Sequence, residues 1–319
     1  MFQLIEKMKT YKPYRDFSEF LSTRFPFKVQ KISINAGFTC PNRDGTKGRG
    51  GCTYCNNQSF SPAYGKPEKS ITQQLKEGIA FFSHKYPTMK YLAYFQSFTN
   101  TYDQPESLIA KYEEALSYPD IAGLVISTRP DCVSLALLDY FRELNKNTFV
   151  LIEYGVESTI NKTLERVNRR HTFEESCETI LRTAQQNIPV GAHLILGLPG
   201  ETHEDMMNHA DKISQLPLTT IKLHQLQIIR GTEMAKEFKT SPQSFTIYKL
   251  DEYIDLCVDF VERLNPAFYI ERFASQSPKE LVIAPDWKLK NYELTHKIVN
   301  RFKERGTWQG KQYKKEVIH

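Results

Sequence analysis

Three cysteines, Cys40, Cys52 and Cys55, fall within one glycine-rich stretch, FTCPNRDGTKGRGGCTYCNN. Thiolates are ligands for zinc and for iron–sulfur clusters, and a loop loosened by Gly45, Gly48, Gly50 and Gly51 can wrap them around a metal centre. Structural zinc takes four protein ligands, so the Cys52–Cys55 half-site would have to recruit His84 or Cys132 from a distance. A cubane cluster on only three thiolates leaves one iron open to a non-protein ligand, as a catalytic metal site requires. Ligand count and position favour the cluster over zinc, and zinc over free thiols. Cys132, Cys177 and Cys257 lie in amphipathic helical patterns and read as small buried hydrophobes. The uneven spacing of the six, in a chain long enough for an ample core, speaks against a disulfide framework.

Other polar groups interrupt apolar runs. Lys222, His224 and Gln227 break up the segment Ile221 to Ile229; burial there demands partners, which makes them candidate substrate contacts. His193 and Glu153 interrupt two further runs and are weaker candidates for a cavity. Gly197 and Gly200 mark a close turn. Tyr91, Tyr94, Phe95 and Tyr102 read as packing groups.

These residues need elements to position them. Apolar, β-rich runs occur at Val29 to Ile34, Tyr91 to Phe95, Gly123 to Ser127, Phe149 to Tyr154, Val190 to Leu196 and Ile221 to Ile229. Nearly continuous apolar runs suit strands buried on both faces of a parallel sheet. Helical spacing lies between them, at Ile71, Leu75, Ile79 and Phe82, at Leu135, Leu138, Phe141 and Leu144, and at Met206, Met207, Ala210 and Ile213. Ser70 with Gln73 and Thr202 with Asp205 have the capping-box form, and Asp131 is positioned to cap the helix after Pro130. Strands alternating with helices imply right-handed crossovers and an α/β barrel or doubly wound sheet, with the site at the C-terminal strand ends. The expected organisation is an N-terminal segment 1–30, a core 31–240 and a helical extension 241–319 packed on the core, with helices around Tyr248 to Leu264 and Tyr292 to Lys303.

The 319 residues are 40% hydrophobic and 25% charged, which excludes disorder, collagen and a coiled-coil rod. No run approaches the ~18 apolar residues of a membrane span, and the first twenty residues lack a signal-peptide pattern, so no membrane partner and a cytoplasmic location are expected. Lys plus Arg exceed Asp plus Glu by 42 to 37, a balance that permits an RNA partner without requiring one. Basic residues gather at Arg43, Lys47 and Arg49, and again from Lys288 to Lys315 beside Tyr292, Trp308 and Tyr313.

The three-cysteine loop after the first strand, ending Cys52-Thr53-Tyr54-Cys55, resembles the radical S-adenosylmethionine (SAM) superfamily. Eleven residues separate the first two cysteines, more than in that superfamily's commonest form. Further segments carry the likeness. Ile152 to Ser158, with Asn161 and Asn168 to Thr172, resembles the fourth strand and following helix of the Elongator catalytic subunit and the coproporphyrinogen dehydrogenase branch. Gly197-Leu198-Pro199-Gly200-Glu201 and Arg230-Gly231-Thr232 resemble their turns after the fifth and sixth strands. The whole chain, including Ser127 to Asp131 and Trp308-Gln309-Gly310, is similar to the bacterial YhcC/YtqA-type group.

The resemblance implies a partial (β/α)6 barrel, a [4Fe-4S] cluster on Cys40, Cys52 and Cys55, and SAM at the open iron, cleaved to a 5′-deoxyadenosyl radical. It implies that Arg169, or Arg170 if the register slips, pairs with the SAM carboxylate and that Glu157 holds the ribose. Gln96 and Ser97 stand where relatives place a glycine-rich turn at the SAM amino group, and His193 and Gly197 flank the adenosine side. It implies an external electron donor such as flavodoxin or ferredoxin and, as substrate, the wobble uridine of transfer RNA, its carboxymethylaminomethyl group converted toward aminomethyl. A small-molecule substrate and a non-catalytic, zinc-stabilised RNA-binding protein are the alternatives. No residue is assigned to the substrate radical.

Overall fold

The computed structural model describes residues 12–83 and 89–315; His84 lies outside them. Seven parallel strands form one sheet: β1 (Val29–Ile34), β2 (Lys90–Phe95), β3 (Ile121–Thr128), β4 (Phe149–Glu157), β5 (Val190–Leu196), β6 (Thr220–Gln225) and, beyond a short excursion, β8 (Tyr269–Arg272). Each pairs in parallel with the next, from Val29 beside Lys90 to Ile221 beside Ile270. The strand order follows the chain without reversal, the arrangement of an incompletely closed α/β barrel. The connecting helices are α2 (Ile71–Ser83), α3 (Pro105–Leu116), α4 (Leu135–Leu144), α5 (Asn161–Arg166), α6 (Phe173–Gln185) and α7 (His203–Ile213).

Alternation along the strands sorts their side chains onto two faces. Tyr91, Ala93 and Phe95 of β2 join the main core beneath the helices, whereas Leu92 and Tyr94 turn inward to a second cluster with Val125 and Leu151. The short helix α1 (Phe17–Ser22), begun by an Asp16 side chain that accepts from the Glu19 amide, closes that inner cluster with Phe17 and Leu21.

The core conforms to the α/β barrel expectation, with local differences. The run Ile221 to Ile229 is two strands: β6 ends at Gln225, and β7 (Ile228–Ile229) pairs antiparallel with β9 (Val282–Ala284). The C-terminal region supplies β8 as a seventh strand besides α8 (Glu233–Thr240), α9 (Leu250–Arg263) and α10 (Asn291–Glu304). Asp131 caps no helix: Arg129 and Lys47 take its carboxylate, and the Ser134 hydroxyl accepts from the Leu137 amide to begin α4. Thr202 and Asp205 form a complete capping box, whereas Gln73 turns its amide to Glu77, leaving Ser70 half of one. Of the cysteines read as core, only Cys257 is fully buried; Cys132 and Cys177 are half-buried.

Gln309 of the terminal Trp308-Gln309-Gly310 segment is a tie. Its side chain donates to the carbonyls of Asn265 and Phe268 at 2.9 Å and accepts from the Arg15 amide at 2.9 Å, joining both ends of the described chain beneath β8. Among the described residues no helix is long and apolar enough to cross a membrane.

Candidate active site

The loop after β1 is held in shape by its own hydrogen bonds. The Cys40 carbonyl accepts from the Arg43 amide at 2.8 Å, the Asn42 carbonyl accepts from Gly51 at 2.8 Å, and Cys52 and Cys55 close a turn at 3.0 Å. Gly51 takes a φ of 82°, which glycine alone adopts freely, and a Cβ there would stand 2.9 Å from the Arg43 guanidinium. The loop is then fixed to two later connections: Thr53 donates to Val167 at 3.0 Å and accepts from Met234 at 2.9 Å.

All three thiols line one cavity of about 210 Å³ over the C-terminal strand ends. Among the described residues no three His, Cys, Asp or Glu side chains are gathered tightly enough to hold a single metal ion; the cysteines share a wall instead. Burial and the neighbouring Cys52 push the Cys55 thiol up to about 11, against the pull of Arg43.

Arg169 and Glu157 reach this wall from β4 and the turn after α5. The pairing of β4 with β5 slips between Gly155 and Glu157, a bulge of the kind that re-aims a side chain, and Glu157 has a φ of 69°. Arg169 donates to the Gly155 carbonyl at 2.6 Å and to the Cys52 sulfur at 3.6 Å, and stands 3.6 Å from Glu157. Its Nε is buried without a partner. A Cβ on Gly155 would fall 2.5 Å from the Glu157 carboxylate and 2.6 Å from the Arg169 guanidinium, so a larger residue there would push the tips of the pair aside. Burial raises the Glu157 carboxyl above its ordinary range, with Arg169 and Arg129 opposing. Arg170 points elsewhere, to the Asn168 side chain.

Sequence reasoning missed Arg129. It is 2% exposed, grips Asp131 with two hydrogen bonds of 2.9 Å and leaves Nη1 buried, unpartnered and in the lining of the cavity. The Tyr54 hydroxyl is likewise buried without a partner. Unpaired donors in a buried site cost stability unless a ligand satisfies them. Two guanidinium atoms, a phenol and three thiols in one wall suit an anionic ligand beside an iron–sulfur centre.

The remaining expected residues separate into two groups. Gln96, His193, His224 and Gln227 line the cavity. Ser97 is buried against Ser61, its hydroxyl 3.1 Å from the other, and is not part of the lining. Gly197 lies under the Tyr248 ring, outside the lining, where a Cβ would come within 3.2 Å of that ring. Lys222 is also outside the lining: it is 2% exposed and fully engaged by Tyr94, Glu153 and Glu271.

Lys222 belongs to a closed ring of alternating charge. Lys31 meets Glu153 at 2.7 Å, Glu153 meets Lys222 at 2.8 Å, Lys222 meets Glu271 at 2.9 Å, and Glu271 returns to Lys31 at 2.6 Å. β1 and β8 are the two edges of the sheet, so the Lys31–Glu271 pair joins them by side chains where no ladder exists. His193 stands on this ring, its Nε2 3.1 Å from Glu153. Burial and Lys222 lower its pKa to about 3, which makes it a neutral imidazole; burial and Arg272 likewise hold His224 well below the ordinary histidine range.

Residues 38–213 match the Radical SAM superfamily and residues 218–304 match the Radical SAM C-terminal domain. The chain is 34% identical to YtqA of Bacillus subtilis, over 96% of this chain and 94% of YtqA. It is also 34% identical to YhcC of Escherichia coli, over 88% and 89% of the two chains. A tRNA uridine(34) acetyltransferase of Methanocaldococcus jannaschii is 22% identical over 56% of this chain and 33% of its own. Among solved structures, the archaeal Elp3 of Methanocaldococcus infernus shares the fold, with a TM-score of 0.66 at 17% identity over 89% of this chain and 64% of Elp3. Motif, cavity and matched segments converge: the chain belongs to the radical SAM superfamily, enzymes that work with a [4Fe-4S] cluster and SAM.

Proposed function

We propose that this enzyme modifies the side chain at the 5-position of the wobble uridine in transfer RNA, converting carboxymethylaminomethyl toward aminomethyl in the cytoplasm. The observation that carries the reading is a cavity whose cysteine wall also presents unpartnered cationic donors, in a chain that aligns with an enzyme named for tRNA uridine 34.

The residues fit the cofactors. Cys40, Cys52 and Cys55 would ligate the cluster, and the planar Arg169 fork suits a carboxylate better than a lysine would. The cluster and SAM, when bound, supply the 5′-deoxyadenosyl radical. Arg169 then orients the amino-acid end, and the Glu157 carboxylate accepts hydroxyl hydrogen bonds from the ribose. Gln96, with its amide already 3.2 Å from Ser33, offers polar contact near the second strand end. Apolar Ile195, Leu226 and Ile229 in the lining help to keep water from the reacting atoms. An electron donor such as flavodoxin or ferredoxin would supply the reducing equivalent.

The C-terminal basic region contributes less charge than its count suggests. Arg301 pairs with Asp251 and Asp255, and Arg305 with Asp259. Lys290, Lys297, Lys303, Lys311 and Lys314 stand exposed and are available to phosphates.

The test incubates anaerobically reconstituted enzyme with SAM, a reductant and transfer RNA carrying 5-carboxymethylaminomethyluridine, followed by nucleoside mass spectrometry. The expected result is 5′-deoxyadenosine, the aminomethyl nucleoside and the lost two-carbon unit as glyoxylate, released by water from the imine that forms when the N–CH2 carbon loses a hydrogen atom to the 5′-deoxyadenosyl radical and one electron to the redox carrier. Turnover of SAM with the nucleoside unchanged, together with RNA binding that is weak and insensitive to salt, would move the substrate to a small molecule.

A further inference from the structure

The buried charges beneath the cavity balance, with one exception. In the ring, two lysines face two glutamates and every charge has two opposite neighbours. Arg272, next in sequence to ring member Glu271, lies outside it. It is half-buried and lines the cavity, and no described carboxylate pairs with it. Among the described residues its side chain hydrogen-bonds the His224 imidazole alone, 3.3 Å from Nδ1 and 3.2 Å from Nε2, and its Nε is buried without a partner.

Among the described residues no carboxylate comes within ion-pair distance of that charge, and those of the ring are already engaged by its lysines. Arg272 faces His224 and, across from it, His193, whose ring centroid is 5.5 Å from that of His224. Ser275 engages His224 and Gln225, while Ser277 engages Gln227, so these neighbours are hydrogen-bonded to one another. Lys222, beside Arg272 in the strand register, is a second cation and is spent on the ring. A guanidinium left unneutralised in a partly desolvated cavity is costly unless its counter-charge arrives with a ligand. Arg169 and Arg129 stand at the cysteine wall with Glu157 and Asp131 beside them, so the cavity has a separate anion acceptor on β8.

We infer that Arg272, backed by the imidazole of His224, receives a carboxylate carried by the substrate and thereby selects substrates whose reacting substituent ends in one. The carboxymethylaminomethyl group has such a carboxylate; that choice of anion rests on the reading proposed above, whereas the demand for an anionic group at this end of the cavity does not. A planar fork can take both carboxylate oxygens at once, and His224 beside it adds a ring nitrogen to the same end of the cavity.

The experiment measures binding to holoenzyme with SAM present. The probes are an anticodon stem-loop carrying 5-carboxymethylaminomethyluridine, the same RNA with that carboxylate converted to its carboxamide, and the corresponding two free nucleosides. Wild-type enzyme should prefer acid to amide by about ten- to a hundredfold, as loss of a charge-assisted contact implies. Arg272→Gln should abolish the preference by losing affinity for the acid alone, and Arg272→Lys should restore part of it. A SAM-dependent change in the cluster spectrum of each variant shows that its cysteine end is folded. Equal wild-type affinities for acid and amide in both formats, or a preference that survives in Arg272→Gln, overturn the inference. Preference for the acid nucleoside with no binding of either RNA leaves Arg272 as the acceptor and overturns the RNA reading instead.

Discussion

At the scale of single residues, the site is governed by groups whose hydrogen bonds are incomplete. Arg169 spends two of its nitrogens on Gly155 and Cys52 and keeps Nε free. Replacing it with lysine retains the charge but removes the fork, and Arg169→Lys should weaken SAM binding by about tenfold or more, measured by equilibrium dialysis of the reconstituted enzyme. His193 supplies a pH signature. Its pKa falls from 6.5 to about 3 on folding, so the native state holds it neutral while the unfolded chain takes up its proton below about pH 6.5. Its stabilisation is present above that pH and is lost as pH falls from 6.5 toward 3, at up to about 1.4 kcal/mol per pH unit. Anaerobic urea titrations at pH 7 and pH 5 should show the loss, and His193→Gln should flatten it. The cysteines were legible because chemistry and clustering coincide in one loop. Arg129 and Arg272 were not, since a lone arginine carries no periodic signal and only the fold shows which of its nitrogens lack partners.

Among the elements, β4 does the most to shape the site: its bulge turns Glu157 toward Arg169, and Gly155 leaves the space in which they meet. Gly155→Ala should therefore reduce SAM affinity by about tenfold while leaving the urea midpoint of the fold nearly unchanged. The charged ring tests the barrel itself. Glu153 contacts Lys31, Lys222 and His193, so Glu153→Gln leaves Lys31 and the buried Lys222 sharing the single carboxylate of Glu271 and should cost about 3 kcal/mol in urea denaturation. Five strands, with the helices α2, α4 and α7, were readable because strands covered on both faces are almost wholly apolar and those helices space their apolar residues regularly; α3 was not read. The sixth run carried the same apolar signal and concealed its break at Leu226 and Gln227. β8 was unreadable as a sheet strand: Tyr269–Arg272 is four residues long and ends in Glu271 and Arg272. Those charges are inside because the ring and the cavity use them, not because the sequence pattern calls for burial.

Across the whole molecule, the two ends of the described chain meet under the sheet through Gln309. Gln309→Ala removes three hydrogen bonds and leaves carbonyls buried, and should lower stability by roughly 1–3 kcal/mol in the same titration. Basic composition at the C-terminus gave an inflated impression of free charge, because Arg301 and Arg305 are held by acids of α9 that a count along the chain does not associate with them. The central claim is that Cys40, Cys52 and Cys55 hold a cluster with a position open to SAM. Its most direct test is the electron paramagnetic resonance spectrum of the anaerobically purified, reduced protein before and after addition of SAM, with iron, sulfide and zinc measured on the same sample. About four irons and four sulfides per chain are expected, with a reduced-cluster signal that changes with SAM and is lost in Cys52→Ala. Stoichiometric zinc, no reconstitutable cluster and no response to SAM would contradict that claim.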